Sequence, residues 1–193
     1  MRFLAAIAVL LTLGACGAEE VGSPPAAISS ASYVHPGPAT LTLVTVINNT
    51  TDNGAHTGLV INGSQRVVWD PAGTYNTTRV MPERGDVLYG FTPAFEQSYI
   101  DYHTRPAYRT ITQTVRVTPE VAEQVLRLAV ANGPAAKASC ALSTSAILSQ
   151  VPGFESVGST WFPNQLMERF GQVGGVETKI YRDEDGAVAL AAL

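Results

Sequence analysis

The chain has 193 residues, with 12 Lys and Arg against 16 Asp and Glu and a formal net charge of −4. A mildly acidic chain with no basic cluster is not built for nucleic acid. A hydrophobic content of 46% with 15% charged residues excludes disorder. No apolar run approaches the roughly 20 residues that cross a bilayer, so no transmembrane helix is expected.

Arg2 precedes an apolar stretch, Leu4 to Leu13, of secretory rather than spanning length. Leu13-Gly14-Ala15-Cys16 resembles the bacterial lipoprotein lipobox. That resemblance implies cleavage after Ala15 and a lipid on Cys16 that attaches the protein to a membrane. An ordinary secretory signal with an incidental Cys is the alternative. Gly17, rather than Asp, resembles the outer-membrane sorting choice of Gram-negative lipoproteins and implies an anchor facing the periplasm. From Gly17 to about Thr40, Gly, Ser, Pro and Ala dominate, and such a composition buries too little to offset its ordering entropy. The expected division is therefore a signal peptide at 1–15, a lipidated Cys and flexible tether at 16–39, and one domain at 40–193. His35, within the tether, is expected to be exposed and inert.

In the domain, Thr40 to Asn48 reads as a central strand and the polar segment to Gly54 as a turn. His56 to Ile61 and Arg66 to Asp70 read as a hairpin around Asn62-Gly63. Asp86 to Phe91, Tyr99 to His103 and Arg109 to Val117 read as further strands. Thr118-Pro119-Glu120 is a helix start: a capping Thr, Pro at the first helical position and an acid in the first turn. Val121, Val125, Leu128 and Ala129 follow at helical spacing, and Asn132-Gly133-Pro134 stops the helix. A second helix spans Ser139 or Cys140 to Val151, and a third Pro163 to Phe170. Val176 to Tyr181 is a strand, and the apolar Ala187 to Leu193 is expected to add an edge strand. The layout is α+β: a mostly antiparallel sheet with two or three helices.

With Cys16 acylated, Cys140 has no partner, although exported proteins hold cysteines in pairs. It is either a small buried hydrophobe or a reactive thiol. Ala138-Ser139-Cys140-Ala141 places it in the first turn of a helix, where outward amides and the dipole favour an anion by about 0.3–1 kcal/mol. A thiolate is such an anion. Its base would be a histidine. His56 opens a strand beside a loop, where a rigid scaffold can present a side chain to a cleft. His103, in a polar segment before Pro106, reads as a surface loop residue. Asp70 is the candidate for orienting His56, and the alternative is a turn residue before Pro71. A two-residue turn pairs Ile61 with Ser64 and sets Trp69 opposite His56. A three-residue loop pairs Ile61 with Gln65 and sets Asp70 opposite His56. Both registers remain open.

His56-Thr57-Gly58-Leu59-Val60-Ile61, a glycine turn and Val67-Val68-Trp69-Asp70 together resemble the histidine hairpin of NlpC-like, papain-fold peptidases. Ser139-Cys140-Ala141 resembles their nucleophile. His56 precedes Cys140, and this order resembles the circularly permuted branch, which includes bacterial lipoproteins and lecithin retinol acyltransferase-like enzymes. The resemblance covers roughly Leu41 to Gln150. It implies a permuted papain-like fold with Cys140 as nucleophile, His56 as base and a polar residue near Asp70 as orienter. The family commonly has His, Asn, Gln or Glu at the third position, and Asp70 departs from that. The implied activity is a thiol-dependent hydrolase or acyltransferase acting on amide or ester bonds in the cell envelope, in a cell-wall peptide or a lipid-linked substrate. The alternative is an envelope lipoprotein that binds or scaffolds without turnover.

Other motifs are set aside. Arg84-Gly85-Asp86 reads as a polar turn before a strand, and the Asn-x-Thr sequences as turns. Without Cys-x-x-Cys, His-x-x-x-His or a Gly-rich phosphate loop, no metal and no cofactor is expected. Trp161-Phe162-Pro163 either lines a cleft or belongs to the core, and core is the expectation.

Overall fold

A computed structural model describes residues 22–76 and 79–183. The segments expected to be the signal peptide, the lipidated Cys16 and the final edge strand lie outside the described residues. The structure is α+β. Seven antiparallel strands are β1 Thr40–Asn48, β2 Gly54–Asn62, β3 Arg66–Trp69, β4 Glu83–Arg84, β5 Val87–Tyr89, β6 Tyr108–Arg116 and β7 Glu177–Tyr181, ordered β4-β5-β3-β2-β1-β6-β7. Five helices accompany them among the described residues: α1 Pro25–Ser30, α2 Pro93–His103, α3 Pro119–Asn132, α4 Cys140–Leu148 and α5 Pro163–Gly171.

Strand alternation divides the core. Leu59 and Ile61 of β2, with Val67 and Trp69 of β3, point toward α3, α4 and α5 and join Val125, Ala141, Leu148, Leu166 and Phe170. Val60 and Val68 point to the opposite face and pack with Tyr99 of α2, Tyr75, Met81 and Phe91. Trp69, Phe91, Tyr99 and Phe170 are fully buried, each contributing the large apolar area that dominates core energetics.

Several expectations are corrected. Tyr99 to His103 is not a strand but the last five of the eleven residues of α2. Thr92 caps α2 through its hydroxyl, which accepts from the Phe95 N–H at 3.3 Å, with Pro93 and Glu96 in the first turn. The signature matches that of α3, but only Tyr99, Ile100 and His103 are buried, so no clean apolar face marks the helix. The described part of the expected tether, from Gly22 on, is ordered along the sheet. It forms α1, and Tyr33 and Pro38 carbonyls accept from the Arg66 N–H at 2.7 Å and the Asn62 amide at 2.9 Å. Backbone bonds, rather than buried apolar side chains, hold much of this segment, and composition does not reveal them. His35 is half-buried and bonds the Tyr33 hydroxyl at 3.1 Å. Trp161 and Phe162 are 59% and 62% exposed, not core.

The hairpin adopts neither anticipated register. Asn62 pairs with Arg66, Ile61 with Val67 and Leu59 with Trp69. Continued, this register sets Asp70 opposite Gly58, two residues from His56 and on the same face.

Candidate active site

β3 stops after Trp69, while β2 continues back to Gly54 paired with β1 alone. The last β2–β3 pair is Leu59–Trp69, so the Thr57 N–H lies beyond the ladder and bonds the Cys140 sulfur. Cys140 opens α4, which packs on the face shared with α3 and α5. His56 and Asp70 share their face with α2. The thiol and the imidazole thus come from opposite layers and meet where the sheet has a missing strand.

The local chain prepares this meeting. Ala138 is left-handed, with φ +62°, and the Ser139 N–H bonds back to the Ala136 carbonyl at 3.1 Å, turning the chain into α4. The Ser139 hydroxyl donates to the Ala136 carbonyl at 2.6 Å rather than capping the helix. The first-turn amides therefore stay open, and the Ala141 N–H bonds the sulfur. Asp86 joins two loops: its carboxylate accepts from the Ala72 N–H at 3.0 Å and the Ala135 N–H at 2.8 Å. It braces the turn after Asp70 against the segment leading to Cys140. Gly85-Asp86 is the turn between β4 and β5, with Arg84 at the end of β4, and Asp86 is also this brace.

His56 Nε2 lies 2.7 Å from Asp70 Oδ1, and the ring also hydrogen-bonds the Cys140 thiol. With Nε2 facing the carboxylate, Nδ1 is the nitrogen left for sulfur. Asp70 Oδ1 also accepts from the Tyr99 hydroxyl at 2.6 Å. Gly58 makes room for that hydroxyl, since a Cβ there would fall 2.3 Å from it. Cys140 is 8% exposed, buried beside the ring it bonds rather than among aliphatic groups alone.

Burial disfavours charge on each group, and the partners reverse it. For His56, burial lowers the pKa, but the Asp70 and Cys140 hydrogen bonds and charges raise it to about 10. For Cys140, burial raises the pKa, and the His56 hydrogen bond and charge, with the Thr57 and Ala141 amides, bring it below the usual thiol value. Asp70, raised by burial, is lowered by His56 and then Tyr99. All three shifts run toward the charged forms: thiolate, imidazolium and carboxylate.

His103, expected on the surface, is 5% exposed and stacks on His56, with ring centroids 5.5 Å apart and planes 12° apart. Its Nδ1–H donates to the Tyr99 carbonyl at 2.8 Å. Burial, opposed by the Asp70 charge and reinforced by that of His56, lowers its pKa to about 4, so it stays neutral beside the imidazolium. Its burial follows from the helix in which it sits. Donor atoms of His56, Asp70 and His103 lie within 4.8 Å of one another and form a potential metal-ligand set. In the structure, two of the three instead form the His56–Asp70 hydrogen bond.

The fold and site define an α+β protein with a buried Cys–His–Asp constellation, the cysteine at a helix start and the histidine and aspartate on one hairpin. No family model matches the chain, and no curated protein or solved structure is detectably similar to it.

Proposed function

We propose that the protein is a thiol-dependent hydrolase or acyltransferase that works through a thioester, on a permuted papain-like scaffold. One observation carries the reading: the Cys140 thiol and Asp70 carboxylate hydrogen-bond the same His56 ring. The Cys140 thiolate attacks the carbonyl carbon of an amide or ester, and the electron pair moves to oxygen. As the tetrahedral adduct collapses, His56 Nδ1–H gives its proton to the departing amine or alkoxide. His56, now neutral, takes a proton from water as it attacks the thioester; the acid leaves and the thiolate–imidazolium pair is restored. An alcohol or amine in place of water makes the same cycle an acyl transfer. The amides at the start of α4 are the candidate oxyanion donors. Asp70 fixes the ring and its charge, and Tyr99 fixes Asp70.

Cys16 is the proposed lipid anchor, placing the enzyme in the bacterial envelope, at the outer membrane, near cell-wall peptides and lipid-linked acyl groups. Labelling with radioactive palmitate that disappears in Cys16→Ala tests the anchor.

Two measurements test the chemistry. Iodoacetamide should alkylate Cys140 well below pH 8, and His56→Ala should move that reaction toward the ordinary thiol range near 8.5. p-Nitrophenyl acetate should give a burst of one nitrophenolate per chain, with an acetyl group on Cys140 by mass spectrometry. Absence of the burst, with alkylation that rises only near pH 8.5 in both proteins, overturns the reading. That outcome would favour binding without turnover, for which the low exposure of Cys140 speaks.

A further inference from the structure

A cleft of about 260 Å³ opens beside His56 and His103, between Gly73 and Thr74 on one wall and Arg105 and Tyr108 on the other. Arg105 brings a permanent cation to it. Its backbone is fixed by the turn Arg105-Pro106-Ala107-Tyr108, closed by Arg105 N–H to Tyr108 carbonyl at 3.0 Å and Tyr108 N–H to Arg105 carbonyl at 2.7 Å. Asn49 clamps the turn from below, its N–H donating to the Ala107 carbonyl at 2.9 Å and its side-chain amide to the Pro106 carbonyl at 3.1 Å. The guanidinium stacks against two rings, 5.2 Å from the centre of Tyr102 and 5.7 Å from that of Tyr108.

Such stacking uses the faces of the guanidinium and leaves its in-plane N–H groups for a ligand. Among the described residues, no carboxylate takes them. Asp52 pairs with Arg109 at 2.8 Å, Asp101 accepts from Gln97 at 2.8 Å, and Asp70 is held by His56 and Tyr99. A preorganised, exposed guanidinium fork without an acidic partner, at a cleft shared with the base of the candidate site, is complementary to a carboxylate.

We propose that Arg105 anchors a carboxylate of the substrate, so that the enzyme selects acyl compounds bearing a free acid a few bonds from the carbonyl that Cys140 attacks. This rests on Cys140 acting as the nucleophile. One fixed cation in the cleft matches one negative charge.

The test needs no natural substrate. Iodoacetyl-glycine, iodoacetyl-β-alanine and iodoacetyl-γ-aminobutyrate are each compared with the corresponding carboxamide at pH 6.5 and low salt. In every case the thiolate displaces iodide and forms one C–S bond. At one spacer length the acid should alkylate Cys140 about tenfold faster than its amide, as a charge-assisted hydrogen bond allows. Arg105→Gln should bring that ratio to about one, Arg105→Lys should keep part of it as a point charge, and added salt should shrink it. A wild-type ratio of one or less at all three spacers, or a ratio that survives in Arg105→Gln, overturns the proposal. Sluggish reaction of Cys140 with iodoacetamide itself would instead overturn the thiolate reading.

Discussion

Replacing Gly58 with Ala isolates the bond that holds Asp70. The new methyl would lie 2.3 Å from the Tyr99 hydroxyl oxygen, about 1 Å inside ordinary contact, but 3.4 Å from Tyr99 Cζ and from the Trp69 carbonyl, which is tolerable. Tyr99 is fully buried between the rings of Tyr75, Phe91 and His103, so the clash cannot be relieved by swinging it outward. Shifting the hydroxyl by about 1 Å breaks the 2.6 Å bond to Asp70. Gly58→Ala should therefore cost about 2.5–6 kcal/mol, the sum of a hydrogen bond to a charged group and local overpacking. In a Tyr99→Phe background the obstructing oxygen is gone, and alanine should be neutral or stabilising by up to ~1 kcal/mol, as expected for glycine replaced within a strand. Urea unfolding of the wild type, the two single variants and the double variant reads the coupling directly. A cost for Gly58→Ala that is the same in both backgrounds would refute the steric link between Gly58, Tyr99 and Asp70.

The remaining predictions follow from the same geometry. Asp70→Asn removes the anion that supports the imidazolium, so Cys140 alkylation at pH 6 should slow about tenfold or more, one pKa unit being tenfold in thiolate; an unchanged rate would exclude Asp70 from charge control. Folding stability should be greatest between about pH 6.5 and 8.5. His56, raised to about 10, contributes stability that is complete below 6.5 and lost as pH rises through about 10. Cys140, lowered, offsets that loss until free thiols ionise near 8.5, so the net alkaline fall lies between about 8.5 and 10, and Cys140→Ala should start it near 6.5. On the acid side His103, lowered to about 4, withdraws stability as pH falls from 6.5 to 4, with the loss from Asp70 following at lower pH; chemical unfolding across the pH range checks both limbs. Ala138→Gly relieves a left-handed alanine and should raise stability by about 1 kcal/mol in the same assay. Asp86→Ala should cost about 1–3 kcal/mol by freeing two backbone amides, and Asp86→Asn, which keeps an acceptor and tolerates the positive φ, should recover most of it.

Much of the fold was legible because its strands are strongly patterned. Thr40–Asn48 and the stretch ending at Arg116 carry the apolar and alternating runs that central strands require, and Thr118-Pro119-Glu120 announces α3. The same capping chemistry at Thr92-Pro93 was as readable, but the polar and aromatic run that follows has the look of an edge strand. The polar segment before Pro106 likewise carries no sign that His103 is buried. Cys140 and His56 stand out as candidates by elimination and by position at a helix start and a strand start. Their meeting was not readable, because it depends on where β3 ends, and the ladder is fixed by Asn62–Arg66 pairing rather than by the turn residues. Asp86 left no signal at all: its role comes from two backbone amides contributed by distant loops.

Cys140 belongs to one layer and its partners His56 and Asp70 to the other, so the lowering of its thiol pKa is a property of the whole tertiary structure. Any opening that parts α4 from the end of β2 leaves a sulfhydryl of ordinary sluggishness and an imidazole titrating near neutrality. A nascent or damaged chain is therefore chemically quiet, and the rate at which Cys140 takes an electrophile doubles as a gauge of how many molecules are correctly assembled.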